Sequence, residues 1–235
     1  MLFTQALAEV RRGAGRGGLA TGVLDAAGRR LLAHVAAATP TSGALIGFDR
    51  PANLYIVTEL YQAGGHRVLL EQMIRARPLE RHIVLFTGTL ERTRDFSRAR
   101  ITELGAFAIS PDPEAGLYDK WLWLREKLAA YAARRVFLLH HPEDVVAALA
   151  AEEIAPRYGH RLYLLRHADT VASLAADLAG ATHLAIRPEQ KARILAGNPD
   201  LRVVLMPLVA PLGDQPPQKG EARLRCRARD HRDLW

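Results

Sequence analysis

The sequence predicts an α/β fold: a Rossmann-like, mostly parallel sheet with helices on both faces. Three observations predict it. Short, continuously apolar runs recur from residue 51 onward, amphipathic stretches of helix length separate them, and His, Gly and charged residues bunch just after the runs. Strands apolar along their whole length are buried on both faces, and their alternation with helices is the pattern of a parallel sheet.

The elements follow in order. Residues 11–18, Arg-Arg-Gly-Ala-Gly-Arg-Gly-Gly, are too glycine-rich for a stable element. A helix over about 19–37 follows, with Leu24, Leu31, Leu32 and Val35 on one face. The first strand is 54–58, and a turn at 63–65 leads into a helix that runs to about Arg77 and is stopped by Pro78. The second strand is 82–86. A charged helix over about 95–104 ends at Gly105, and the third strand, 106–109, is closed by Ser110-Pro111. A long helix spans about 117–133, where Trp121, Trp123, Leu124, Leu128 and Tyr131 mark a core face. The fourth strand is 136–139, and Pro142-Glu143-Asp144 opens the next helix with proline in its first turn and acids at its positive end. The fifth strand is 162–165, with a helix near 170–179 ending at Gly180. The sixth is 183–186, with a helix from Pro188 to about Leu195, and the last is 201–206.

Composition narrows the function classes. With 235 residues, 49% hydrophobic and 24% charged, the chain has an ordinary globular balance that excludes wholesale disorder. The expected organisation is an N-terminal, partly helical extension (1–50), one Rossmann-like domain (51–210) and a basic, irregular tail (211–235). A single cysteine, Cys226, forms no internal disulfide, and a reducing cytoplasm is the natural compartment. No apolar run approaches the roughly 20 residues of a membrane span, and the first residues lack the pattern of a secretory leader. The net charge is +7, yet residues 1–50 and 219–235 each carry +3 and the middle only +1. A nucleic-acid binder concentrates charge on one folded face, so that class is disfavoured. The Arg-rich ends read as solvated tails, with contact to an anionic surface at the inner membrane face as the competing reading.

In an open parallel sheet, ligands bind outside the carboxyl ends of the strands. Those ends present Glu59, Gly64, Gly65 and His66 after the first strand, Thr87 after the second, and His140 and His141 after the fourth. Arg166, His167 and Asp169 follow the fifth, and Arg187 the sixth. A Gly-Gly turn entering a helix lets a ligand approach the backbone and offers the helix's positive end to an anion. The same turn also serves as a bare strand–helix connection, and both readings stand. His140 and His141 are neighbours and point in different directions, so the two do not share a pocket; one donating to a sugar hydroxyl or phosphate while the other satisfies nearby backbone groups, and neither lining a site, are both open readings. His167 is a usable general base, and Asp169 either orients it, acts itself, or caps the helix near Thr170. The sequence holds no Gly-x-Gly-x-x-Gly, Walker A, His-Glu-x-x-His or Gly-x-Ser-x-Gly motif. No cofactor or bound metal is expected.

Three segments carry a family resemblance: 57–67 (Val-Thr-Glu-Leu-Tyr-Gln-Ala-Gly-Gly-His-Arg), 140–145 (His-His-Pro-Glu-Asp-Val) and 166–169 (Arg-His-Ala-Asp). Together they resemble the N-terminal half of GT-B glycosyltransferases, specifically the bacterial group 1, family-4-like enzymes of polysaccharide synthesis. The likeness covers about residues 51–210. It implies an acceptor-holding domain that faces a second, donor-holding domain across a cleft. It also implies a leaving diphosphate stabilised by helix dipoles and basic side chains rather than by a bound metal. By position, Gly64 and Gly65 would approach the donor phosphates or the transferred sugar. His66, His141, His167 and Asp169 would line the acceptor side, and His167 or Asp169 would take the acceptor hydroxyl proton. Glu59, Thr87, His140 and Arg187 complete the expected binding set. The implied partners are a nucleotide-sugar donor and a glycan acceptor. The sequence departs from the family where the donor domain would begin: 220–229 has neither strand nor helix pattern. A truncated or frame-shifted end is one expectation. A donor-binding counterpart in a separate subunit, or a second copy of the chain, is the other. The competing classes are a non-catalytic acceptor-binding module, an α/β hydrolase built on the histidines with or without a metal, and an anionic-surface binder.

Overall fold

A computed structural model describes residues 37–38, 46–61, 65–89, 94–166 and 173–206. Seven parallel strands form one sheet: β1 (Ala52–Val57), β2 (Arg81–Phe86), β3 (Phe107–Ile109), β4 (Arg135–Leu139), β5 (Leu162–Arg166), β6 (Thr182–Ala185) and β7 (Arg202–Leu205). Their order is β3-β2-β1-β4-β5-β6-β7. The order reverses between β1 and β4, so the sheet is doubly wound and its switch point lies there. The expected Rossmann-like α/β class is the observed one.

Alternation along each strand builds two cores. Leu54, Ile56, Ile83, Leu85, Val136, Leu138, Leu162 and Leu164 face one side. Two helices cover them: α3 (Leu117–Ala130), through Trp121, Leu124 and Leu128, and α4 (Val145–Tyr158), through a nearly continuous Ala/Val/Leu face. Tyr55, Val57, Val84, Phe86, Phe137, Leu139, Tyr163 and Leu165 face the other side. There α1 (Gly65–Arg75) packs Leu69, Leu70, Met73 and Ile74, and α2 (Arg94–Glu103) packs Ile101. The last helix, α5 (Pro188–Gly197), covers Ala185 and Val203 through Ile194. Period-2 strands between two helical layers are why each run reads as unbroken apolar sequence. Phe137 stacks on Tyr55 at 5.2 Å and on Tyr163 at 4.9 Å, an aromatic row across the three central strands.

Several expected boundaries shift. The long helix ends at Ala130, not 133, because Tyr131 turns extended and bridges Ile46, whose N–H donates to the Ala130 carbonyl at 2.7 Å. Pro142 is not in the first turn of α4: Asp144 is the N-cap and the helix starts at Val145. The helix expected near 170–179 is not formed by its described part, where 173–180 is a run of turns. Its carbonyls bond elsewhere: Ala176 accepts from Arg166 Nη1 at 2.6 Å and Leu178 from His183 Nε2 at 3.0 Å. Gly105 does end its helix, at φ +74°. The helix expected over 19–37 and the tail at 211–235 lie outside the described residues, apart from helical Ala37 at the end of the former. Among the described residues no helix is long and apolar enough to cross a membrane.

Candidate functional site at the carboxyl end of the sheet

Val57 pairs with Phe86 on one side and Leu139 on the other. Thr58, Thr87 and His140 therefore stand one step beyond the sheet at the switch point, and the N-cap of α4 draws these ends together. Asp144 Oδ1 accepts the Ala147 N–H at 3.0 Å, the ordinary capping bond. Its Oδ2 accepts the hydroxyls of both Thr58 and Thr87 at 2.6 Å. The Thr58 oxygen in turn accepts the His141 N–H at 2.7 Å. One buried carboxylate thus fixes the ends of β1 and β2 and the first residues after β4.

The clasp decides what its members do. Thr87, expected to bind substrate, is fully buried and gives its proton to Asp144, so its hydroxyl serves as a strut of the site. The loop beyond it turns at Gly88, with φ +65°, where a Cβ would meet Pro111 Cγ at 3.3 Å. The Gly88 carbonyl accepts from the buried Lys120 ammonium at 2.8 Å.

His140 and His141 diverge as their adjacency requires. His140 is buried, with Nε2 3.2 Å from Ser173 Oγ and Nδ1 without a hydrogen-bond partner. Its imidazole is pushed down to about 4, first by burial and further by His141 and Arg166, against the opposing pull of Asp144. At neutral pH it is uncharged and bound within the fold. His141 is more open, with Nδ1 3.7 Å from Glu143 Oε1.

Glu59 follows Thr58 and is 6% exposed, and among the described residues neither carboxylate oxygen has a hydrogen-bond donor. Gly65 is the first residue of α1 and His66 the second, so both stand at the positive end of a helix that begins at the switch point. Arg187 is exposed at the N-cap of α5, after β6. That is two strands from β4, roughly 10 Å away across the sheet, so the fold separates it from the candidates after β1 and β4. Gly64, His167 and Asp169 lie outside the described residues.

Thr58 and Asp144 are the residues that sequence reasoning left out of the site. Asp144 has a local signal, an acid directly before an apolar helical run. The reach of Thr58 to it spans 86 residues and has none. Gln190 was missed as well. Its Oε1 accepts the Ile186 N–H at 2.7 Å and its amide donates to the Arg166 carbonyl, tying the ends of β5 and β6. Among the described residues no group of three or more His, Cys, Asp or Glu is arranged to hold a metal ion. Comparison of the chain with protein-family models gives no match, and comparison with curated proteins gives none.

Proposed function

We propose that the chain is the acceptor-holding half of a glycosyl-transfer machine. What supports the reading is one juxtaposition. The described residues of two of the three segments that carry the resemblance (57–61 and 65–67 of the first, 140–145 of the second) flank the switch point of a doubly wound sheet, joined by the hydrogen bond from His141 N–H to Thr58. Sites in such sheets lie in that crevice. The third segment starts at Arg166, the end of the next strand.

In the proposed reaction an acceptor hydroxyl attacks the anomeric carbon of a nucleotide-sugar. A new C–O bond forms, the bond from that carbon to the diphosphate oxygen breaks, and the nucleoside diphosphate leaves with the bonding pair. The hydroxyl proton passes to a base, His167 or Asp169. Positioning and stabilisation of the leaving phosphate supply most of the rate. His66 and His141 line the acceptor side, and Gly64 and Gly65 let the transferred sugar approach the backbone. The donor is held by a counterpart domain, so the chain by itself binds acceptor, and transfer needs both halves.

The test is transfer of a radiolabelled sugar from nucleotide-sugars to glycan acceptors, with the chain alone and with its donor-binding counterpart. His167→Ala is expected to lower turnover by roughly 10²- to 10⁴-fold with little loss of fold. Unchanged turnover in both His167→Ala and Asp169→Asn would remove the base assignment. Absence of any glycan binding would remove the function.

A further inference from the structure

We infer that Glu59 selects the acceptor by gripping two adjacent hydroxyl groups, one on each carboxylate oxygen, so that the ligand is a vicinal diol. This rests on the acceptor-binding reading and sharpens it. A carboxylate offers about four lone-pair sites, and buried polar groups are almost always hydrogen-bonded. Glu59 is more than nine-tenths buried, and both its oxygens are without a donor.

The donors of the neighbouring clasp are already committed. The Thr58 and Thr87 hydroxyls donate to Asp144, and the His141 N–H donates to Thr58. Among the described residues none donates to Glu59; in the inferred complex a ligand supplies the donors. Two side-by-side acceptor oxygens match two neighbouring O–H donors. A neutral diol satisfies both without carrying a second charge out of water, a step whose desolvation offsets much of an ion pair's attraction. The contrast with Glu71 is instructive. That carboxylate, equally buried, receives both nitrogens of the Arg100 fork at 2.7 and 2.8 Å, which is how this fold treats a carboxylate kept for structure.

The experiment uses the full chain, Glu59→Gln and Glu59→Met. Binding is measured on an array of bacterial surface glycans with their component sugars, including amino sugars, followed by single-position deoxy analogues of the best binder. Unliganded melting temperatures are measured alongside. The inference expects glycan binding by the wild type, weakened roughly 10- to 100-fold in Glu59→Gln and in one pair of adjacent deoxy analogues. It also expects Glu59→Met to melt about 2–4 °C above wild type, since an apolar side chain suits a site without donors. Glycan binding that is equal in wild type and Glu59→Gln would overturn the inference and leave the acceptor reading standing. Binding confined to amino sugars would replace the diol with an ammonium and overturn it as well. No glycan bound by the wild type would overturn the acceptor reading itself. A Glu59→Met variant that melts several degrees below wild type would show that Glu59 has an internal partner, and would also overturn the inference.

Discussion

The two ends of the central strands treat buried charge in opposite ways. At the amino end, Glu80 is enclosed by donors. Asn53 Nδ2 donates to it at 2.6 Å, Arg135 Nη1 reaches its two oxygens at 3.3 and 3.2 Å, and Arg77 Nε lies 3.6 Å away. Burial alone would raise the Glu80 carboxyl; the Asn53 amide and the arginines outweigh it and hold it below the usual carboxylate range. Nearby His82 donates from Nε2 to the Arg77 carbonyl at 2.9 Å, which leaves Nδ1 to accept the Tyr55 hydroxyl at 3.0 Å. At the carboxyl end, the Asp144 clasp is satisfied, while among the described residues Glu59 and the Nδ1 atoms of His140 and His141 have no hydrogen-bond partner. This difference between a completed buried network and open acceptors is what supports the proposal that ligands bind at the carboxyl end.

The first way to break the comparison carries the largest effect. Glu80→Met strips the counter-charge from buried Arg77 and Arg135 and is expected to cost about 3–5 kcal/mol in urea unfolding. A loss below about 1 kcal/mol would mean that the amino end is not the network described.

The next is pH. His140 and His183 are both pushed down to about 4, chiefly by burial. Between the ordinary imidazole value near ~6.5 and about 4, the unfolded chain binds protons that the folded chain does not. Stability is therefore fully present above that window and falls as pH drops through it, by up to about 3 kcal/mol for each histidine. His183→Gln should flatten the slope of stability against pH over that window, and an unchanged slope would exclude His183 as a source.

Asp144→Ala removes a cap and two buried hydroxyl partners together, an expected loss of about 2–3 kcal/mol. Hydrogen exchange should speed up at the amides of Ala147 and His141 while the amino end keeps its protection. Uniform loss of protection would mean that the clasp is not a local device. The smallest expected stability change belongs to Arg187→Ala, an exposed residue away from the switch point, within about 0.5 kcal/mol of wild type. If that substitution weakens acceptor binding, the site extends beyond the crevice assigned to it.

Sheet and layers were legible because a strand buried on both faces must be apolar throughout, as Tyr55–Val57 and Val136–Leu139 are. What the sequence hid depends on distant partners. The segment 173–180 reads as helical because Leu174, Ala175, Ala176 and Leu178 are apolar and buried, yet Arg166 and His183 take its carbonyls from neighbouring strands. The early end of α3 at Ala130 depends on Ile46, more than 80 positions earlier. At the site, His141 and Glu59 were readable from their place after a strand. That Thr87 is a strut and His140 an enclosed, uncharged ring depends on Asp144 and Ser173, which come close only in the fold.

The account turns on Glu59 being a carboxylate kept open for a ligand, unlike Glu80, so its most direct test is a matched pair of melting curves without ligand, Glu59→Met beside Glu80→Met. The predicted result is opposite signs: the first variant melts above wild type by a few degrees and the second well below it. Two variants that both melt below wild type would contradict it.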